Sequence, residues 1–237
     1  MHLFYQPDNA LNYLNEEESR HCAKVLRFKQ GDVIQVTDGN GLLCSCRLEK
    51  VDIRRTTYVV VEKIMIPLPD YRIHMAICPT RIAERNEWMV EKMTELGVHK
   101  VQFIVSEHTH KETINRVVNL ERLNRIALSA MKQSQQHYLP ELTLYATFKE
   151  YLDQVTDQQR YIAYVADDEI PEHLMEVSSK NQTVSILIGP EGDFSPTEIQ
   201  IGMEYGFVPI SLGPTRLRTE TAAVIACHSI NLVQILP

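Results

Sequence analysis

The sequence predicts an α/β fold, a mostly parallel sheet layered with helices, preceded by a small β domain. Three observations predict it. Beyond about residue 71, short apolar runs alternate with longer helical segments. Residues 31–66 instead hold strand-like runs in close succession, and Pro67-Leu68-Pro69-Asp70 breaks the pattern between the two regions. With 237 residues, 44% of them hydrophobic, the chain can bury a real core in each part. Its 23% charged residues and lack of biased tracts exclude a disordered chain.

The first part, residues 1–68, opens on a short polar helix over 16–24. Val33-Ile34-Gln35-Val36 then forms a strand, Asp38-Gly39-Asn40-Gly41 a hairpin turn, and residues 42–48 its partner; 57–65, rich in Val and Tyr, adds a third strand. The second part, residues 71–237, has strands over 73–78, 101–105, 161–165, 184–188 and 208–212. Helices are predicted over 83–96, 120–137, 148–154, 196–205 and 220–236. Leu96-Gly97 closes the first of these as a C-cap. On helix 120–137, Leu120, Leu123, Ala127, Ala130 and Ser134 form an inward stripe, while Arg122, Arg125, Lys132 and Gln136 lie outward.

The N-terminal segment carries no basic stretch followed by an apolar run, so no signal peptide is expected, and no uncharged apolar run approaches membrane-spanning length. Five scattered cysteines, Cys22, Cys44, Cys46, Cys78 and Cys227, include no CxxC pair. That pattern argues for a reducing compartment and against a thiolate zinc site. A net charge of -7 speaks against a nucleic-acid partner, but basic residues cluster locally, as in Arg20-His21 with Lys24, Arg27 and Lys29, and in Arg216 with Arg218.

The chemistry concentrates in two loops. Ile186-Leu187-Ile188 runs into Gly189-Pro190-Glu191-Gly192, after which Ser195, Pro196 and Glu198 read as N-cap, first helical residue and capping-box partner. A second apolar strand, 208–212, ends in Gly213-Pro214 and passes through Thr215-Arg216-Leu217-Arg218 into a helix opened by Thr219-Glu220-Thr221. Ligands of open α/β sheets bind beyond the carboxyl ends of strands, so the paired loops predict a crevice for a small cofactor and an anionic substrate. Neither GxGxxG nor GxxxxGK[ST] occurs. His108-Thr109-His110 could be a metal pair, but no third ligand has metal-site spacing, and a surface loop is the simpler reading; no metal is predicted.

Taken jointly, several segments resemble the ribosomal RNA small subunit methyltransferase E family, uridine-N3 methyltransferases of the knotted SPOUT superfamily. They are Met1-His2-Leu3-Phe4-Tyr5, His21-Cys22-Ala23-Lys24-Val25-Leu26-Arg27, Glu91-Lys92-Met93-Thr94-Glu95-Leu96-Gly97-Val98, Ala130-Met131-Lys132-Gln133-Ser134, Leu187-Ile188-Gly189-Pro190-Glu191-Gly192, and Leu212-Gly213 with Leu217-Arg218-Thr219-Glu220-Thr221-Ala222. The resemblance covers nearly the whole chain. It departs where Ser106-Glu107-His108-Thr109 stands in a loop that commonly carries arginine, where Gln135-Gln136-His137 replaces a basic residue, and where Asp193 replaces a second glycine.

The resemblance implies a PUA-like β-barrel followed by a trefoil-knotted methyltransferase domain, a homodimer, and a cytoplasmic enzyme. It implies methylation of N3 of a uridine in 16S ribosomal RNA, either free or within the small ribosomal subunit, from S-adenosyl-L-methionine. Leu187, Ile188, Gly189, Pro190, Glu191 and Gly192, with Leu212, Gly213 and Leu217, would form the cofactor site. Arg218, with Arg216 behind it, would stabilise charge on the uracil oxygens, and Glu191 or Glu220 would accept the N3 proton. Lys24, Arg27, Arg122, Arg125 and Lys132 would contact RNA, and the target base must leave any stack. The same scaffold could instead serve another base, a ribose hydroxyl, or a non-catalytic RNA-binding role.

Overall fold

A computed structural model describes residues 2–165 and 170–236; Met1 of the opening motif and the terminal Pro237 lie outside the described residues. The chain forms two compact units. One contains the residues up to Leu68 together with Met131–Leu139, the other Pro69–Ala130 and the residues from Pro140 onward.

In the first unit, β1 (Leu3–Tyr5) pairs in parallel with β2 (Val33–Thr37), which continues antiparallel to β3 (Leu42–Lys50) and β4 (Thr57–Met65). Period-two alternation buries Ile34, Cys46, Leu48 and Tyr58 against Phe4 and Leu14. Cys44 and Cys46 share that buried face, as small apolar side chains do, and burial pushes the Cys46 thiol up to about 12. The polar helix expected over 16–24 is present, but in two geometries. Asn15 caps α1 (Glu16–Arg20) by accepting from the Glu18 amide at 2.9 Å, and the chain then widens into a π-helical turn over His21–Val25. That turn ends with Arg27 at φ 57°. Positive φ at a non-glycine residue is costly and often accompanies function.

The second unit is built on a six-stranded parallel sheet. Its strands are β5 (Arg72–Ile77), β6 (Lys100–Ile104), β7 (Glu141–Tyr145), β8 (Gln159–Ala163), β9 (Thr183–Ile188) and β10 (Val208–Ile210), in spatial order β10-β8-β9-β5-β6-β7. The central strands are largely apolar because helices cover both faces: Ile73, Met75, Ala76 and Ile77 of β5 are fully buried, as are Val184, Ile186 and Leu187 of β9, with the buried polar His74 and Ser185 between them. The α/β expectation with a mostly parallel sheet therefore holds, but β7 is a strand that the sequence pattern did not predict.

The helices of this unit are α2 (Ala83–Glu95), α3 (Ile114–Val117), α4 (Leu120–Gln133), whose last three residues fall in the first unit, α5 (Phe148–Leu152), α6 (Leu174–Val177), α7 (Pro196–Glu204) and α8 (Thr219–Ile235). Gly97, at φ 77°, ends α2 as expected, with the Val98 amide returning to the Met93 carbonyl at 3.0 Å. Helix α4 stops at Gln133 rather than 137, where Gln135 turns to φ 58°. Its predicted inward stripe is buried at Leu123, Ala127 and Ala130. Helix α8 packs on α2, β5 and β9, and Asn231 ties it to the end of α2 by donating to the Leu96 carbonyl at 2.7 Å. No helix among the described residues is long and apolar enough to cross a membrane.

Candidate functional site

A cavity of about 750 Å³ lies at the carboxyl ends of β8, β9 and β10, where parallel sheets present ligands. Its walls come from three loops. The loop after β9 supplies Ile188, Gly189, Pro190, Glu191, Gly192 and Asp193. The segment after β10 supplies Leu212, Gly213, Arg216, Leu217 and Arg218, with Ala222 of α8 behind it. The third wall, from the end of β8, contains Ala163, Tyr164, Val165, Ile170 and Pro171, and sequence reasoning missed it. No glycine marks that strand end; only its pairing with β9 and β10 could have pointed to it.

Local sequence chemistry builds these loops. Ser195 caps α7 and Glu198 answers it, the reciprocal capping box expected from their spacing, with Pro196 in the first turn. Arg218 is the N-cap residue of α8, in extended conformation, so the chain passes directly from the cavity wall into the helix. Both Arg216 and Arg218 are exposed. Thr219 is buried and bonds the Gly189 carbonyl, joining the start of α8 to the loop after β9.

Two residues assigned to the site from sequence do not line this cavity. Leu187 is fully buried on the other side of β9, packed with Ala76, Cys78, Ile104 and Ile162. Alternation along a strand sends neighbours to opposite faces, so Ile188 reaches the cavity and Leu187 the core. Glu220 is buried and directed toward Arg85 of α2, whose Nη1 lies 3.4 Å from its Oε1; its Oε2 finds no hydrogen-bond partner among the described residues. Glu191, by contrast, lines the cavity and is exposed, its Oε1 accepting from the Arg81 amide at 3.3 Å.

Gly189 has a reason other than room for a ligand: a Cβ there would press on Asp193 Oδ1 at 3.1 Å, whereas one on Gly192 would only rest against the His108 side chain at 3.4 Å. His108, whose loop offered a possible metal pair, points its Nδ1 at the carbonyl oxygens of Gly192 and Asp193, 3.1 and 2.9 Å away. The Asp193 carbonyl does most to raise the pKa of this exposed imidazole. No group of three or more His, Cys, Asp or Glu suited to a metal occurs among the described residues. Asp193 occupies φ 60°, a conformation that favours glycine, and offsets the cost with its carboxylate: Oδ1 accepts from its neighbour Phe194 and Oδ2 from the Val165 amide, both at 2.8 Å.

Of the candidate RNA residues, Lys24 and Arg27 are exposed around the π-turn of the first unit. Lys132, expected to face outward, is only partly exposed and is bonded to the buried Glu18 within the same unit. In the second unit Arg122 is held bidentate by Glu87, at 2.6 and 2.8 Å, and Arg125 lies 3.5 Å from Glu121.

Residues 67–231 match the family model of an RNA methyltransferase domain, and residues 14–61 that of an RNA methyltransferase PUA domain. The chain is 29% identical over 226 residues to Ribosomal RNA small subunit methyltransferase E of Aquifex aeolicus, with 94% of this chain and 96% of that protein covered. Among solved structures, a probable rRNA methyltransferase from Porphyromonas gingivalis is 39% identical with a TM-score of 0.91, over 99% of this chain and 98% of that one. A candidate methyltransferase from Legionella pneumophila, solved with bound S-adenosylmethionine, is 25% identical with a TM-score of 0.85, over 98% and 97% of the two chains.

Proposed function

The chain belongs to the RNA methyltransferase family, and from that premise we propose that it methylates N3 of a uridine in 16S ribosomal RNA, using S-adenosyl-L-methionine. The observation that carries this reading is the cavity of about 750 Å³ with two exposed arginines on one wall. Its size falls within the range of small-molecule sites, roughly 300 to 1,000 Å³. Ile188, Ile210, Leu212 and Leu217 offer apolar surface for an adenine ring, and the loop backbones offer polar groups for its edge. The residues present therefore fit the cofactor. The names of the relatives support small-subunit ribosomal RNA as substrate, and the family resemblance supports N3 as the acceptor.

When bound, S-adenosylmethionine supplies an electrophilic methyl group on a sulfonium. The chain's part is to hold the acceptor in line, favour loss of its N3 proton and stabilise the resulting charge. Arg218, supported by Arg216, takes the negative charge on the uracil oxygens. Glu191 takes the proton, because it lines the cavity, whereas Glu220 is engaged by Arg85. Ile188, Gly189, Pro190, Glu191, Gly192, Leu212, Gly213 and Leu217 form the cofactor wall. No residue of this set calls for a metal, so turnover is expected to persist in a chelator.

We assign residues 1–68 to RNA binding as a PUA-like barrel, with Lys24 and Arg27 as its contacts, and 71–237 to a trefoil-knotted catalytic domain. We place the enzyme in the cytoplasm as a homodimer. Nucleoside mass spectrometry of 16S RNA incubated with the protein and S-adenosylmethionine tests the reading: 3-methyluridine is expected, and a methyl group on another base or on ribose would overturn it.

A further inference from the structure

We propose that His108 and Asp193 are positioning residues that brace the cofactor loop from two sides and so hold the cavity in its binding shape before ligand arrives. The proposal rests on the reading of that cavity as the cofactor site. Both acceptors facing His108 Nδ1 are carbonyl oxygens, those of Gly192 and Asp193, so this nitrogen carries the hydrogen and donates. The ring lies over Gly192, close enough that a Cβ there would rest against it in ordinary van der Waals contact. His108 itself stands on a fixed base. The Glu107 amide donates to Glu198 Oε1 at 2.8 Å, and Ser106 and Thr109, both buried, share a hydroxyl contact of 2.8 Å.

Asp193 completes the brace on the opposite side. Its carboxylate accepts from the Val165 amide at 2.8 Å, and Val165 belongs to the third wall of the cavity. The loops after β6, β8 and β9 are thereby joined through two side chains, although none has regular secondary structure at the junction. The turn they restrain is itself slight, closed by one backbone bond from the Asp193 amide to the Pro190 carbonyl at 2.9 Å. A loop that must be ordered on binding costs affinity, and one held in advance does not. Loss of the His108 hydrogen bond, shared between two carbonyl oxygens, corresponds to a change of up to about tenfold in affinity.

Amide hydrogen exchange on the ligand-free protein tests the brace directly. His108→Ala, at an exposed position that should leave folding intact, is expected to speed exchange at residues 191–194 and at Val165, and to weaken S-adenosylmethionine binding by up to about tenfold in calorimetric titration. His108→Asn, whose amide nitrogen reaches the place of Nδ1, is expected to restore both. In turnover the Ala variant should raise KM for the cofactor and leave kcat at saturation unchanged. Unaltered exchange in His108→Ala, faster exchange with unaltered affinity, or an Asn variant no better than Ala overturns the proposal while the cofactor site stands. Failure of the wild-type protein to bind S-adenosylmethionine overturns the cavity assignment, and the positioning role with it.

Discussion

The hydroxyl of Thr219 donates to the carbonyl oxygen of Gly189 at 3.0 Å, joining the start of α8 to the loop after β9 in a buried position. Two loops that are separate in sequence are thus one structure at the cavity floor. Thr219→Val keeps the side-chain shape and removes the donor, leaving a carbonyl unpaired. A stability loss of about 1–3 kcal/mol is expected from chemical unfolding. Because the cavity's two sides then move independently, S-adenosylmethionine should also bind more weakly in titration. Unchanged affinity together with unchanged stability would remove the bond from both accounts.

That joint was not legible in the sequence, although each half was. Glycine, proline and capping residues punctuate strand ends sharply, so the turns at Gly189 and Gly213 and the capping box at Ser195 could be read directly. Features without such marks were lost. Strand β7 reads Glu-Leu-Thr-Leu-Tyr and lies at the sheet edge, where burial is too slight to leave a continuous apolar run. Helical periodicity placed Lys132 outward, yet Glu18, 114 residues away, captures it. Leu187 was drawn into the site by its neighbours, and only strand alternation in three dimensions returns it to the core. The Val165 wall needed knowledge of which strands pair.

Glu191 and Glu220 separate under mutation. Glu191→Gln keeps shape and removes the proposed base, so the single-turnover rate at saturating cofactor should fall. Glu220→Gln weakens the pairing with Arg85 and should lower the melting temperature, with the single-turnover rate within a few-fold of wild type. The reverse pattern would move the proton to Glu220.

The exposed cations of the first unit are expected to act on RNA alone. Arg27→Ala should weaken binding of a 16S RNA fragment and reduce the slope of log affinity against log salt by about one, as expected for one lost phosphate contact. S-adenosylmethionine affinity should be unchanged. Equal RNA affinity and an equal slope would exclude Arg27 from the interface.

Arg218→Ala should leave RNA and cofactor bound but slow the chemical step on the order of a hundredfold, since a charge stabiliser acts mainly in the transition state. The alternative is that Arg218 only shapes the turn into α8, where it is the N-cap residue without a side-chain capping bond. Its loss would then lower melting temperature and cofactor affinity together. Single-turnover methylation at saturating RNA and cofactor separates the two, and a near-normal rate would take Arg218 out of the chemistry.

His99 makes the fold sensitive to acid. Its Nδ1 accepts a hydrogen bond from the Ile73 amide at 3.1 Å, so the ring must be neutral in the native state. Burial, then the neighbouring His74 and Arg72, lower its pKa to about 4, against roughly 6.5 in an unfolded chain. Between those values the unfolded chain binds more protons than the folded one. The contribution is therefore fully present above about pH 6.5 and is lost as pH falls toward about 4. A shift of this size corresponds to at most about 3 kcal/mol. Urea unfolding at pH 7.5 and 4.5 measures it as the difference between wild type and His99→Asn, which can still accept from Ile73 but does not titrate. The wild type should lose more stability on acidification than the variant; equal losses would assign the acid sensitivity to other groups.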